Sequence, residues 1–327
     1  MARHAGVSIM TVSRAMRGVE GVSAKKRAEI LRLAKRLNYQ PSSVAGSLAA
    51  ANSTLIGVSV PTLFEAVFAE IFDGMRATFA NAGLQTVMDT TEYDKTHEQS
   101  WVDRMISWRP AGIILSGAEH SAHTRSRIRA AGIPALEIWD FTEDPIDLCV
   151  GVDHHAAGLE MGEHLVKLGY RRPAYVGVEQ DRDARAENRL EGLRSAFESF
   201  GLSNDHDIRA GKQASFEAGF NGVRTMLSTA APRPDVIYFL NDHMAFGGLM
   251  ACERAGLKVP RDIGIVGFNG LNINKVLDKS ITTSLTHRSL MGETGAKMLV
   301  AKILGAKTER TVALPVDLQN GETTRRQ

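Results

Sequence analysis

Cysteine is nearly missing from this chain. Its 327 residues include two, Cys149 and Cys252, far apart and in apolar surroundings. That excludes a disulfide framework and fits a reducing cytoplasm. Long apolar runs are missing too, and none approaches the ~18 to 20 uninterrupted residues a membrane span needs. Arg3, His4, Arg14 and Arg17 break the apolar core that a secretory signal would carry. No G-x-S-x-G turn, Walker loop or supported Ser-His-Asp arrangement occurs, so the common enzyme signatures are absent. The chain also lacks a one-sided charge, its formal net being +2.

That near-neutral total hides an uneven distribution. Residues 1–50 hold nine Lys/Arg against Glu20 and Glu29, a net of +7, while the remainder holds 30 against 35, a net of −5. A basic head on a mildly acidic body points to a polyanion as the partner of the head; a solvated basic face is the alternative.

The head reads as a small helical bundle. Ser8 caps a helix that runs "IMTVSRAMRG" and stops at Gly18. "ARHAG" ends a preceding helix at Gly6, so a tight glycine-containing turn joins the two, as in a helix-turn-helix. Val12 and Met16 face inward, and Ile9, Met10, Ser13 and Arg14 face outward. A third helix starts at Ser23 and carries Ile30, Leu33, Ala34 and Leu37 at helical spacing. After Pro41 comes an Ala/Ser-rich stretch with Val44 and Leu48 one turn apart, too short for a stable helix in water. It reads either as a linker or as a helix formed only on DNA, with Leu48 wedged into the minor groove.

From Leu55 onward, short β-rich runs alternate with amphipathic stretches. The strands read "LIGVSV", "LQTVMD", "AGIILSG", "IPALEI", "LCVGV", "PAYVGV", "DVIYFL" and "IGIVGF", with helices near 65–82, 96–107, 155–168 and 186–200. Alternating β and α implies parallel sheets covered by helices. So many units suit two lobes, with the chain crossing near 151–153 and again in "ITTSLTH" near 281–287.

The strings V-S-x-x-T-V-S-R (Val7 to Arg14) and L-x-Y-x-P (Leu37 to Pro41) are highly specific, and with them the whole chain resembles the LacI/GalR family of bacterial transcription regulators. The resemblance implies a small all-α helix-turn-helix head on a two-lobed α/β body like a type I periplasmic binding protein. Its expected division is a DNA-binding domain at 1–41, a hinge helix or linker at 42–53, and an effector-binding and dimerisation domain at 54–327. Within the last, one lobe spans about 54–151 and 287–310, the other about 152–283 and 311–327. Ile9, Met10 and Arg14 become the base-reading positions. Arg14 suits a guanine, and Ile9 and Met10 suit thymine methyls. Ser8, Thr11 and Ser13 would hold phosphates, and Ala45 and Leu48 match the minor-groove hinge residues. The family's first helix starts several residues earlier, with a cap and a leading leucine. The expectation is therefore a trimmed chain or a start assigned too late, with a weakened head.

Ligands of open α/β sheets bind at the carboxyl ends of strands. Here those ends give Phe64, Phe68, His120, Trp139, Asp140, Arg185, Arg189, Asn241, Asp242 and Asn269. In the family, Arg189 of "NRLEGL" clamps the effector, and Asn269 stands where an Asp usually holds sugar hydroxyls. An amide there does not repel an anion, and Arg189 with Arg185 can grip a carboxylate. The expected effector is thus a sugar acid. "MISWRPAGIIL", "EHS" and "NDHMAFG…CERAGLKVP" resemble the gluconate-operon repressor branch, which makes gluconate or a close relative the first choice.

Plainer readings stand beside these. Asp242 can cap the following helix, Phe64 and Phe68 can be core, and Arg189 can pair with Glu187 or Glu191 on the surface. Gly264, Gly267 and Gly270 lack dinucleotide spacing and read as close-packing glycines. His120, His123, His154 and His155 lack the further ligands of a metal site and read as exposed; no cofactor is expected. The stripe Leu290, Ala296, Leu299 and Ile303 serves a dimer contact or the core equally well. The reading is a homodimeric repressor on a pseudo-palindromic operator, in the cytoplasm and under allosteric control. The rivals are a sugar-binding protein without DNA activity and an enzyme acting on a sugar acid.

Overall fold

The computed structural model describes residues 1–39, 53–63, 66–179, 184–203 and 206–325. The chain divides into two compact units, Met1–Thr54 and Leu55–Gln327. In the first unit, α1 (Ala2–Ala5) stops at Gly6, whose left-handed φ of 60° turns the chain. Ser8 then accepts the Thr11 N–H and starts α2 (Ile9–Arg17), which ends at Gly18 with φ 74°. Ser23 likewise caps α3 (Ala24–Arg36). Ala5, Val12, Ala15, Ile30 and Leu33 form its small core. Leu37, expected in the α3 stripe, follows the last helical turn and stays exposed.

The second unit holds two six-stranded sheets. The first is built from β1 (Leu55–Val60), α4 (Ala66–Asn81), β2 (Gln85–Thr90), α5 (Lys95–Ser107), β3 (Gly112–Ser116), α6 (Ala122–Ala131), β4 (Ala135–Asp140) and β5 (Leu148–Val152). The chain then crosses to α7 (His154–Lys167), β6 (Pro173–Gly177), α8 (Ala184–Ser199), β7 (His206–Arg209), α9 (Phe216–Thr229), β8 (Val236–Phe239), α10 (Asp242–Arg254), β9 (Gly264–Asn269) and β10 (Thr282–Thr286). It returns for α11 (Arg288–Ile303) and β11 (Thr311–Ala313), and β12 (Val316–Gln319) closes the second sheet. The orders are β11-β5-β4-β3-β1-β2 and β12-β10-β9-β8-β6-β7. Among the described residues the strand pairings are parallel except β10 with β12.

Strand side chains alternate between the two helical layers. In β3, Ile114 joins the core of α4 and α11, whereas Ile113 and Leu115 join that of α5 and α6. A β-strand buried on both faces reads as a continuous apolar run, which is why β1, β3, β5 and β6 were visible in the sequence. β10 was not: Thr282, Thr283, Ser284 and Thr286 are buried yet polar. Among their hydroxyls, Thr282 bonds Thr324, Thr283 donates to Asp242, and Thr286 donates to the Asn269 carbonyl. β11 pairs with β5, so the last lobe boundary lies between Ala313 and Val316, not at 310/311 as expected. In α11, Ala296 and Leu299 belong to the core while Leu290 is exposed. No helix of the described residues is long and apolar enough to cross a membrane.

Each sheet's order reverses direction once, between β1 and β3 and between β6 and β8. The carboxyl ends at such a reversal diverge and open a crevice. The lining of that crevice comes from both sheets.

Candidate functional site

Two surfaces carry functional chemistry. On the head, α2 displays Ile9 at 81% and Met10 at 57% exposure, with Arg14 also exposed and Thr11 and Ser13 half-buried. Val12 and Ala15 turn inward and hold the helix to α3. Ser8 Oγ accepts from Thr11 N at 3.1 Å and lies 2.9 Å from Thr11 Oγ1, so the cap fixes both hydroxyls at the start of the helix. Ala45 and Leu48, the expected hinge contacts, lie outside the described residues, as does Phe64.

The second surface is the cleft of the body. Phe68, Tyr93, Trp139, Arg185, Arg189, Leu240, Asn241 and Asn269 line one end. Pro61, Asp94, Lys95, Glu98, Ser116, Glu119 and Asp140 line the other, which shares Tyr93 and Arg185. Backbone strain shapes the first end. Trp139 has φ 84° and Asn269 φ 108°, conformations that cost on the order of 1–3 kcal/mol each and persist where the surroundings enforce them. Gly151, paired with Trp139, permits the close approach, because a Cβ there would sit 2.3 Å from the Asp140 carbonyl carbon.

Electrostatically the cleft is asymmetric. Arg189 is 4% exposed; its guanidinium lies 4.0 Å from the Phe268 ring centroid and donates to the Leu240 carbonyl at 3.2 Å. Arg185, also buried, reaches Ser116 Oγ at 3.5 Å and has Nε 3.8 Å from Asp140 Oδ1. Within the first end, no lining residue is a carboxylate. Asp140 Oδ1 and Asn269 Oδ1 are buried without a hydrogen-bond partner. The result is an aromatic-floored end of the cleft with two buried cations and no lining carboxylate among the described residues, beside buried acceptor oxygens without a hydrogen bond. Such a site suits an anion that also carries hydroxyls.

The pattern described as "Bacterial regulatory proteins, lacI family" matches residues 1–42. "Periplasmic binding proteins and sugar binding domain of LacI family" matches residues 53–322. The chain belongs to the LacI family. It is 33% identical over 305 residues to the HTH-type transcriptional regulator GntR of Escherichia coli K12, covering 93% of this chain and 91% of that one. A LacI-family regulator structure from Silicibacter pomeroyi superposes with a TM-score of 0.91 at 34% identity, covering 99% and 98% of the two chains. The lac repressor dimer bound to operator and the anti-inducer ONPF gives 0.80 at 26% identity, covering 99% and 97%. This LacI-family protein is therefore a DNA-binding transcriptional regulator, not an enzyme.

Within this LacI-family body, Phe68, Trp139, Asp140, Arg185, Arg189, Asn241 and Asn269 converge on the cleft. His120 does not line it. Its imidazole is buried, with Nδ1 2.9 Å from Glu98 Oε2 and Nε2 2.9 Å from the Gly117 carbonyl. Burial lowers its pKa, but Glu98 and Glu137 outweigh that and leave it raised. Asp242 is neither cap nor lining: Asn241 caps α10 by accepting the Met244 N–H. Asp242, fully buried, instead accepts from Leu271 N and Thr283 Oγ1, both at 2.7 Å, and ties α10 to the loop after β9. Gly267 makes room for it, since a Cβ there would meet Asp242 Oδ1 at 2.1 Å.

Arg189 is no surface ion pair; Glu187 binds Arg209 instead. Arg288, 4% exposed, supports Asn269 by donating to the Asn269 and Gly270 carbonyls, and its Nε binds Glu70 of α4 at 2.8 Å. Sequence reasoning missed Tyr93, over whose ring Arg185 lies at 5.5 Å. It follows the carboxyl end of β2, so the strand-end rule would have found it. His154, expected at the surface, is buried beside the cleft.

Proposed function

We propose that this regulator is a homodimeric repressor of sugar-acid catabolism genes, acting in the cytoplasm, whose operator binding is controlled by gluconate or a close relative. The observation that carries the effector class is the pair of buried arginines, Arg185 and Arg189, at an end of the cleft whose lining holds no carboxylate, the nearest being Asp140, 3.8 Å from Arg185 Nε. A carboxylate entering there gains charge-assisted bonds from guanidinium groups that are already buried. Its hydroxyls meet the unsatisfied oxygens of Asp140 and Asn269.

On the DNA side, α2 lies in the major groove, with Ile9, Met10 and Arg14 toward the bases and Ser8, Thr11 and Ser13 toward phosphates. One head reads a half-site, so a pseudo-palindrome takes two chains. Ala45 and Leu48 of each chain meet the minor groove. Effector binding draws the lobes together and weakens operator binding. Such coupling is typically worth ~1 to 3 kcal/mol.

The test is fluorescence anisotropy of a labelled palindromic operator from upstream of the protein's own gene, with and without gluconate. Tight binding that gluconate weakens is the expected result. Tight binding indifferent to gluconate refutes the effector and keeps the repressor. Isothermal titration in which a neutral hexose binds far more tightly than gluconate refutes the sugar-acid class.

A further inference from the structure

His154 opens α7 where the chain crosses between the lobes. Its side chain is 3% exposed and lies between Trp139 and Phe268, with ring centroids 5.7 and 5.8 Å away. Arg189 Nη1 stands 3.1 Å from His154 Nδ1. A guanidinium has donors and no acceptor, so this contact requires a bare lone pair on Nδ1 and leaves the ring proton on Nε2. Nε2 stands 3.3 Å from Asp140 Oδ1, close but without a hydrogen bond between them, and neither atom has another hydrogen-bond partner. The ring therefore stands between Asp140 and one of the cleft's two buried guanidinium groups.

We propose that His154 is a positioning residue that sets the cleft's preference for an anion: as a neutral Nε2–H spacer it holds Asp140 away from Arg189, so that Arg189 meets the carboxylate of the ligand. The proposal rests on the sugar-acid reading above. Without the spacer, Asp140 and Arg189 can close into a direct ion pair. Both charges are then satisfied internally, and an acid has little advantage over a neutral polyol. The charged groups facing the ring are Asp140 from β4 and Arg185 and Arg189 from α8. Burial, foremost, lowers the imidazole pKa and keeps the ring neutral, with the two arginines adding to it against Asp140.

Two measurements on the full chain test this. Titration calorimetry with gluconate and with glucitol gives an affinity ratio for the wild type, for His154→Ala and for His154→Asn. The alanine variant is expected to lower the ratio about tenfold, the scale of one charge-assisted hydrogen bond. Asparagine, whose amide can both accept from Arg189 and donate to Asp140, should keep it within about threefold. An unchanged ratio in folded His154→Ala overturns the proposal and leaves the sugar-acid reading standing. A wild type that prefers glucitol overturns both. The second measurement needs no ligand: imidazole ¹⁵N shifts of His154 should report a neutral ring protonated on Nε2. A proton on Nδ1 overturns the spacer, including where the alanine variant fails to fold.

Discussion

The head and the cleft solve opposite problems. The head leaves Ile9 81% exposed, while the cleft keeps Arg189 at 4%. A duplex is large enough to bury an exposed helix on arrival, and its phosphates supply sequence-independent attraction, so a DNA-binding head can keep the residues proposed to read bases in water. A small ligand cannot desolvate anything much larger than itself, so its site has to be dry and charged beforehand. The energetic consequence differs too. The described head has a core cluster of only five buried apolar residues and little stability to spare, whereas the cleft is held by a large core and a buried polar frame around Asp242 and Arg288.

The comparison breaks most visibly at Arg189. Arg189→Met removes the cation expected to meet the ligand acid and should cost about 2 to 5 kcal/mol of gluconate affinity, the range for truncating one partner of a buried charge pair. Operator binding without gluconate should be unchanged in the same anisotropy assay. The reciprocal change is Ile30→Ala. Ile30 is wholly buried at the centre of the head, and its truncation should destabilise that unit by about 2 to 4 kcal/mol. Operator binding should vanish while calorimetric gluconate binding persists. Joint loss of both activities in either variant would contradict the separation.

The two regions also differed in how far the sequence could be read. The head is local: two serine caps, the glycine stops after α1 and α2 and one turn of spacing specify α2 and the start of α3 without any distant partner. The strands of the body announced themselves where both faces are apolar. The cleft is assembled from residues between 61 and 269, and only the strand-end rule connects them. It brought Trp139, Arg185 and Asn269 together in advance. It failed where burial is decided by distant neighbours. Nothing in "DHH" separates buried His154 from exposed His155, and nothing around His120 foretells Glu98 and Glu137. The cap of α10 lies one residue before the expected Asp242, because that carboxylate is taken by Leu271 and Thr283.

Asp242 offers a test confined to the body. Burial pushes its pKa up from 3.8 to about 6, against the bonds from Leu271 and Thr283. The folded state therefore holds this proton more tightly than the unfolded chain does. Its contribution is fully present below about pH 4 and is lost as pH rises through about 6. Over that window the wild type should lose about 2 to 3 kcal/mol through this group. Asp242→Asn cannot titrate, so urea denaturation at pH 4, 5, 6 and 7 should show a shallower decline for the variant. Parallel curves would mean that Asp242 does not change charge in this range.

The smallest effect returns to the head. Ile9 touches so little of its own protein that Ile9→Ala should leave stability within about 0.5 kcal/mol. In the proposed docking it brings apolar surface to a base edge, and losing that contact should weaken operator binding by about 1 kcal/mol. The loss should concentrate at a T·A step, because only thymine presents a methyl in the major groove. An uncharged side chain releases no counterions, so the dependence of affinity on salt should keep its slope. Arg14→Ala is the internal control, with a larger loss centred on a G·C step. If Ile9→Ala weakened every sequence equally, or flattened the salt dependence, the outward face of α2 would be a backbone-holding surface, and the reading of bases would have to move to other residues of the head.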